Sequence, residues 1–114
     1  IREFWTQVLE NGLTKYLAYI YEFIDPLLTI KVQKVQKVNP VSETYQALAE
    51  DIRSAISSLG EVGLAHGDVR LDNIGYDNVS ERYVLYDFDS VKVGASLAVI
   101  ESDFRVLISS LSGS

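Results

Sequence analysis

The residues best suited to chemistry are two carboxylates and one amide in the second half of the chain. Asp68 and Asn73 lie five positions apart in the stretch His-Gly-Asp-Val-Arg-Leu-Asp-Asn, and Asp87 ends the stretch Tyr-Val-Leu-Tyr-Asp. One carboxylate can orient and deprotonate a hydroxyl, while the amide and the other carboxylate can hold magnesium against nucleotide phosphates. Magnesium prefers hard oxygen ligands and keeps part of its water shell, which suits this set. The three residues therefore predict phosphoryl transfer.

A β-hairpin is predicted to bring these side chains together. Residues 74–77 and 82–87 have the composition of paired strands, and the polar residues between them are of turn-forming types. If the pairing is symmetric about Ser80, Asn73 lies opposite Asp87. The hairpin then places both oxygen ligands at one mouth, with the first carboxylate immediately upstream.

The motif His-x-Asp-x-x-x-x-Asn, followed by a strand that ends in Asp-Phe, resembles the catalytic loop and metal-binding segment of the protein-kinase-like superfamily. The resemblance implies that Asp68 is the catalytic base, that Asn73 and Asp87 bind Mg²⁺, and that His66 is a structural brace. It also implies a catalytic role for Arg70, which stands where Ser/Thr protein kinases carry the lysine that contacts the transferring phosphate.

Several positions in the motif differ between branches of this superfamily. Gly67 stands where many protein kinases have the arginine that binds a phosphorylated activation loop, and Asp89 stands where they have the glycine of Asp-Phe-Gly. His-Gly-Asp and Asp-Phe-Asp are more similar to the aminoglycoside and choline kinase-like phosphotransferases, whereas Arg70 is closer to Ser/Thr protein kinases. A small-molecule kinase and a non-standard protein kinase both stay open as interpretations.

The predicted fold class is α+β. The resemblance implies a mostly helical kinase-like C-terminal lobe with a short catalytic-loop β-hairpin and a hinge strand, and it covers residues 16–111. The whole chain is interpreted as a single partial kinase-like domain. Its parts are a helix plus hinge strand at 1–25, a long helix at 39–60, the catalytic loop and metal-binding hairpin at 64–89, and a helix at 102–111.

The long helix has the strongest local signals. Asn39 is a good N-cap, Pro40 fits the first helical position, Glu43 lies in the first turn, and Gly60 closes the helix. Its apolar residues recur on one face, which predicts packing against the core. The stripe consists of Val41, Tyr45, Leu48, Ala49, Ile52, Ala55, Ile56 and Leu59.

The first and last helices have clear spacing as well. Apolar residues at helical intervals predict a helix over residues 1–10, stopped by Asn-Gly. Ser102 and Asp103 are predicted to open the last helix, and the resemblance implies that Asp103 braces the backbone of the catalytic loop. Only 15 residues separate Asp87 from Asp103. This short segment favours a small-molecule acceptor or a non-standard protein kinase.

Between the first and the long helix lie two weaker signals. Residues 13–24 are rich in Tyr, Leu, Ile and Phe and predict a buried strand. The resemblance implies that it ends in a hinge, where the backbone of Glu22 and Ile24 would hold the adenine of ATP. The following Lys-Val-Gln repeat, within residues 27–38, fits either a helix or a strand, and its lysines are interpreted as a solvated face.

Composition excludes several other functions. The chain has 114 residues and a net charge of −6, so a nucleic-acid partner is not expected. No apolar run is long enough to span a membrane, and no membrane partner is expected. The absence of cysteine rules out disulfides and thiolate zinc sites and leaves the compartment open. The expected partners are a nucleotide and a hydroxyl acceptor that the sequence does not identify.

A complete kinase-like fold also needs a Gly-rich loop and a strand lysine paired to a helix glutamate, and neither is recognised in this sequence. A missing N-terminal lobe or a partner chain would then supply them. The alternative to a phosphotransferase is a non-catalytic, pseudokinase-like binding module or scaffold. A third interpretation is an unrelated α+β domain whose acidic residues lie in surface turns.

Overall fold

The computed structural model of the 114-residue chain describes residues 2–18, 32–34 and 43–112. Within these residues the chain has an α+β fold, as the sequence predicts. The helices are α1 (Arg2–Glu10), α2 (Glu43–Glu61) and α3 (Leu97–Leu111), and the strands are β1 (Val32–Lys34), β2 (Leu64–Ala65), β3 (Ile74–Asp77), β4 (Arg82–Leu85) and β5 (Lys92–Val93).

The strands form two small antiparallel sheets, one in the order β1–β3–β4 and one in which β2 pairs with β5. Helix α2 packs against β4, β2 and α3, so it lies at the centre of the fold. Its buried side chains belong to a single hydrophobic cluster that also contains residues of α1, β3, β4 and α3. In the described part of the chain, no helix is both long enough and apolar enough to cross a membrane.

The register of the predicted hairpin differs from the prediction by one residue. Ile74 pairs with Leu85 and Asp77 with Arg82, so Asn73 lies opposite Tyr86 and not opposite Asp87. The reason is the connection, which has four residues, 78–81, and is therefore centred between two residues instead of on Ser80. Its last residue adopts a left-handed φ of 56° and donates its N–H to the Asp77 carbonyl.

Helix α2 confirms the predicted apolar face over its described side chains. The buried residues are Tyr45, Leu48, Ile52, Ala55, Ile56 and Leu59. The predicted N-cap and the proline that follows it lie outside the described residues. At the other end Gly60 continues the helix, and the left-handed residue is Gly63, with a φ of +75°. A Cβ at Gly60 would lie 3.2 Å from Ile100, so this glycine allows α2 and α3 to approach closely.

The predicted strand over residues 13–24 is only partly borne out. Thr14–Tyr16 form a short 3₁₀ helix, and Leu17 then makes an isolated parallel bridge with Leu85 of β4. The 3₁₀ turn is favoured because it buries Leu13 and Tyr16 together in the core, whereas a strand would point residues three apart to opposite faces. The predicted hinge residues Glu22 and Ile24 lie outside the described residues.

The outer edge of β4 is completed by hydrogen bonds from other parts of the chain. Ala18 N–H donates to the Leu85 carbonyl at 2.8 Å, and the Tyr83 N–H donates to Asp51 Oδ2, on α2, at 3.0 Å. These bonds satisfy backbone groups that a strand edge would otherwise leave unpaired. At the opposite edge of the sheet, β1 shows that the Lys-Val-Gln repeat is a strand at Val32–Lys34.

Helix α3 begins earlier than predicted. Ser96 is its N-cap and accepts the Val99 N–H at 3.4 Å, so the helix starts five residues before the predicted position at Ser102. The residues between are Leu-Ala-Val-Ile-Glu, which continue the helix without a break. Asp103 therefore lies inside the helix, where it is buried beside Leu107 on the inward face. The first helix and its stop at Asn-Gly are confirmed: α1 ends at Glu10, and Gly12 then adopts a left-handed φ of +64°.

Candidate functional site

The motif with the candidate catalytic residues forms one loop between the two sheets. The loop leaves β2, whose residues Leu64 and Ala65 are buried, and it enters β3 through the 3₁₀ helix Leu71–Asn73. His66 is fully buried. This burial agrees with its expected role as a structural brace.

His66 joins the loop to the segment after β4 that contains Asp87. Its Nε2 lies 2.6 Å from the Tyr86 carbonyl oxygen, and its Nδ1 lies 3.2 Å from the backbone nitrogen of Asp68. A neutral imidazole protonated on Nε2 satisfies both contacts, because Nε2–H donates and Nδ1 accepts. The ring thus connects Asp68 to the residue directly before Asp87.

Helix α3 braces the start of the loop through a buried carboxylate. Asp103 accepts the backbone N–H of His66 at 3.2 Å and that of Gly67 at 3.2 Å. The bracing contact that the family resemblance implies is thus present. Burial raises the pKa of Asp103 above its ordinary value, and the charge of His66 and the two backbone hydrogen bonds act in the opposite direction.

Asp68 is held by two neighbours in the loop. Arg70 donates from Nε to Oδ1 at 2.7 Å and from Nη2 to Oδ2 at 3.1 Å, which makes a bidentate pair. Asn73 donates from Nδ2 to Oδ2 at 2.9 Å. The hydrogen bond from Arg70 is the main reason that the pKa of Asp68 is lowered, and the bond from Asn73 adds to it. The carboxylate is thus kept ionised, as a general base must be before it accepts a proton.

Asn73 has a fixed orientation. Its side chain is buried, and Nδ2 donates both to Asp68 Oδ2 and to the Asp68 carbonyl oxygen, each at 2.9 Å. Because both hydrogen bonds use the nitrogen, the side-chain oxygen Oδ1 is available to accept from, or coordinate, another group. That oxygen is the atom that a hard cation would need.

Asp87 lies two residues after the end of β4 and has an unusual backbone conformation. Its φ is 57°, in the left-handed region that residues with a side chain rarely adopt, and its side chain is exposed. The Tyr86 N–H donates to the Asn73 carbonyl oxygen at 2.7 Å, so the backbones of both candidate metal ligands are tied together at this point. Strained conformations of this kind cluster at functional sites, where surrounding packing maintains them.

The packing that maintains this conformation comes from Phe88, the next residue. Its ring contacts the ring of Trp5, at 4.9 Å between centroids, and the ring of His66, at 5.5 Å. Phe4 lies 6.2 Å away on the same helix α1 as Trp5. A buried aromatic cluster therefore fixes the residue after Asp87, while the carboxylate itself stays at the surface.

The donor set fits magnesium that arrives with a nucleotide. Among residues 2–18, 32–34 and 43–112, no group of three or more His, Cys, Asp or Glu side chains is placed to hold a metal ion by itself. Asn73 and Asp87 offer one amide oxygen and one carboxylate. Magnesium is commonly bound in this way, by one or two protein oxygens together with substrate phosphates and water.

The structure brings together most of the predicted site. Asp68 is in direct contact with Arg70 and Asn73. Asp87 directly follows Tyr86, whose N–H donates to the Asn73 carbonyl oxygen. One contact was missed: the backbone N–H of Leu71, in the same loop, donates to Ser110 Oγ of α3 at 2.8 Å. Helical spacing contained a signal for it, because Ser110 lies seven residues after Asp103 and so on the same face of the helix.

A pH-dependent loss of stability is expected from His66. Burial lowers its pKa below the ordinary value of about 6.5, although the Tyr86 carbonyl and the carboxylates of Asp103, Asp68 and Asp87 act in the opposite direction. Between the pKa of His66 in the folded chain and its higher pKa in the unfolded chain, the unfolded chain binds more protons than the folded chain. The free energy of unfolding therefore rises with pH in this range. The stabilisation from the neutral ring is complete above about pH 6.5 and is lost as the pH falls.

His66 is the only histidine in the sequence, which makes this expectation simple to measure. NMR of the single imidazole should give a titration midpoint below that of an unfolded peptide. The pH profile of urea unfolding, compared with that of His66→Gln, should isolate the imidazole from Asp103, whose raised pKa acts in the opposite direction. A midpoint at or above the ordinary value would show that burial does not dominate the pKa of His66 and would contradict this expectation.

The sequence of this chain is similar to that of a known protein over part of its length. No family model matches the chain, and no solved structure matches it. Over 76 residues, 65% of the chain, it is 32% identical to the probable serine/threonine-protein kinase fnkB of Dictyostelium discoideum. The match covers 14% of that protein, so the chain spans a small part of the relative's length. The similarity indicates a distant kinase-like relation.

Proposed function

We propose that this chain carries the catalytic half of an ATP- and magnesium-dependent phosphotransferase, which moves the terminal phosphate of ATP to a hydroxyl acceptor. The observation that carries the proposal is the network around Asn73. Its amide donates to Asp68 at 2.9 Å, and its backbone accepts from the residue before Asp87 at 2.7 Å. One network thus joins the candidate base to both candidate metal ligands. The partial sequence similarity to a kinase supports the same proposal.

In this proposal Asp68 accepts the proton of the acceptor hydroxyl. The hydroxyl oxygen of the acceptor at the same time forms a bond to the terminal phosphorus of ATP. The bond between that phosphorus and the bridging oxygen breaks, and ADP leaves with the electron pair. Asn73 and Asp87 would hold magnesium, which supplies neutralisation of the phosphate charge. Arg70 would turn from Asp68 towards the transferring phosphate, because its exposed guanidinium is the nearest cation to the base.

A complete site would also need groups outside this loop to bind adenine and to cover the phosphates. The backbone of Glu22 and Ile24 would hold adenine, and a lobe or partner chain with a Gly-rich loop would cover the phosphates. The acceptor is proposed only as a hydroxyl compound. A small molecule and a protein side chain are both compatible with the loop.

A non-catalytic binding module is the second candidate, and one observation favours it. Arg70 engages both carboxylate oxygens of Asp68 and lowers its pKa, so in this arrangement the base is occupied. If Arg70 stays in place when nucleotide binds, its guanidinium competes with a substrate hydroxyl for both carboxylate oxygens of Asp68. This candidate predicts no turnover with all site residues intact, together with a stable complex with another chain.

Magnesium-dependent nucleotide binding tests the proposed function. We expect a fluorescent ATP analogue to bind the chain more tightly with magnesium than without it. Asp87→Asn should remove most of this difference and weaken binding in magnesium at least about tenfold, equivalent to about 1.4 kcal/mol, because one charged ligand is lost.

Asp89→Asn is the matched control, since Asp89 is also an exposed carboxylate and lies two residues further along the chain. It should leave the magnesium dependence unchanged. Equal binding by wild type and Asp87→Asn would contradict the proposed metal site.

A further inference from the structure

The second half of the catalytic loop has a brace that none of its own residues provides. The 3₁₀ helix Leu71–Asn73 begins after Arg70, whose side chain makes no capping hydrogen bond to it. The first N–H of this helix, that of Leu71, instead donates to Ser110 Oγ at 2.8 Å, in a partly buried position. Ser110 belongs to the last turn of α3, 39 residues away in sequence.

This short helix determines where the two partners of Asp68 lie. The Asn73 N–H donates to the Arg70 carbonyl oxygen at 2.8 Å, so the two residues are at opposite ends of one turn. Arg70 holds both carboxylate oxygens of Asp68 from one end, and Asn73 holds Oδ2 from the other. A change in the start of the turn would therefore move both groups relative to the carboxylate.

We propose that Ser110 is a positioning residue of the phosphoryl-transfer site. Its hydroxyl fixes the start of the 3₁₀ helix and so aims Asn73 at Asp68 on one side and at the metal on the other. Helix α3 then braces the loop at both ends, with Asp103 at the first residues and Ser110 at Leu71. The two bracing residues are about two helical turns apart, or about 10 Å along the axis. This role rests on the proposed function.

A set of four variants separates positioning from general stability. Ser110→Ala removes the acceptor, and Ser110→Thr keeps a hydroxyl at the same position. Ser112→Ala is the control at the end of the same helix, because Ser112 is its C-cap and its hydroxyl donates to the Ile108 carbonyl oxygen and not to the loop. Leu71→Pro removes the donor itself, and because it also changes a buried core residue it serves only as the background in which Ser110→Ala is compared. The extended backbone of Arg70, with φ −101° and ψ 158°, is compatible with a following proline.

The first readout is the NMR signal of the Asn73 side-chain amide, whose protons bond to Asp68, in the full chain without nucleotide. We expect Ser110→Ala to shift this signal and speed its exchange with water, while Ser110→Thr and Ser112→Ala leave it near its wild-type position. The second readout is magnesium-dependent binding of the ATP analogue. Ser110→Ala should weaken it about tenfold, as loss of outer-shell partners does at metal sites, and Ser110→Thr should restore it.

The Leu71→Pro background completes the test. With the donor gone, Ser110→Ala should cause no further shift of the Asn73 signal and no further loss of affinity. An unchanged Asn73 signal in Ser110→Ala, or an equal effect with and without Leu71→Pro, would overturn the positioning role. If wild type does not bind nucleotide with magnesium, the proposed function fails, but the NMR readout still decides whether Ser110 positions Asn73.

Discussion

Replacing Gly67 by Ala is expected to destabilise the folded chain by about 3 kcal/mol or more, because the new methyl group has no space and the backbone is strained. The φ of Gly67 is +89°, and a Cβ there would lie only 2.2 Å from the carbonyl oxygen of Ser90 and 3.1 Å from its Cβ. The obstacle is mainly backbone, so it cannot be relieved by rotating a side chain.

The segment that contains Ser90 is also held in place on its far side. Strand β5 pairs with β2, and the Ala95 N–H donates to the Gly63 carbonyl oxygen at 2.7 Å. Relief of the clash would therefore break pairing between the two strands or move the loop that carries Asp68. This close contact also gives a physical reason for glycine at a position where many protein kinases have arginine.

Gly12→Ala is the matched control for this prediction. Gly12 has a similar left-handed φ of +64°, but no heavy atom lies within 4 Å of its potential Cβ. It should cost only the conformational penalty of about 1–2 kcal/mol. Urea unfolding of the two variants measures the difference. Equal destabilisation would show that the contact with Ser90 adds nothing beyond the backbone strain.

The second large effect is expected from Asp68→Asn. Asparagine keeps the size of the side chain but cannot accept a proton from the acceptor hydroxyl. Loss of a general base typically lowers the rate about 10²- to 10⁴-fold. Binding of the ATP analogue with magnesium should change little, because the proposed metal ligands are Asn73 and Asp87. Phosphate transfer from ATP in the complete enzyme, with its acceptor, is the measurement.

Asp72→Asn is the control for a change of charge in the same loop. Asp72 is exposed and lies in the 3₁₀ helix between the residues that hold the base, and it makes no contact with Asp68 among the hydrogen bonds of the described residues. Its replacement should leave the rate within a few-fold of wild type. Turnover in Asp68→Asn equal to that of wild type would exclude Asp68 as the base. No turnover in wild type would instead favour the non-catalytic module.

Local signals predicted much of the fold, because they depend on neighbouring residues. The apolar stripe of α2, the end of α1 at Asn-Gly and the two strands of the hairpin all follow from spacing and turn types. The contact between Asp68 and Asn73 was also accessible, since a motif with fixed spacing contains both residues. The bracing by Asp103 came from the family resemblance and not from local pattern.

The features that could not be predicted depend on backbone geometry or distant contacts. The hairpin register depends on the left-handed backbone of Glu81. This conformation is typical of glycine, so the sequence does not predict it for a glutamate. The start of α3 was missed because Ser96 and Ser102 are equally good caps by type, and only the backbone selects the first. The bond from Leu71 to Ser110 joins residues 39 positions apart, and helical spacing places Ser110 on the face of Asp103 without indicating which residue it contacts.

Locating the bound metal tests directly whether Asn73 and Asp87 form a magnesium site. Mn²⁺ can replace magnesium with the ATP analogue, and its unpaired electrons broaden NMR signals of nearby protons. We expect strong broadening of the Asn73 side-chain amide and the Asp87 backbone amide, with little effect on Val79 at the tip of the hairpin. Broadening that is absent at Asn73 and Asp87, or equal along the whole hairpin, would contradict a phosphoryl-transfer site at this position.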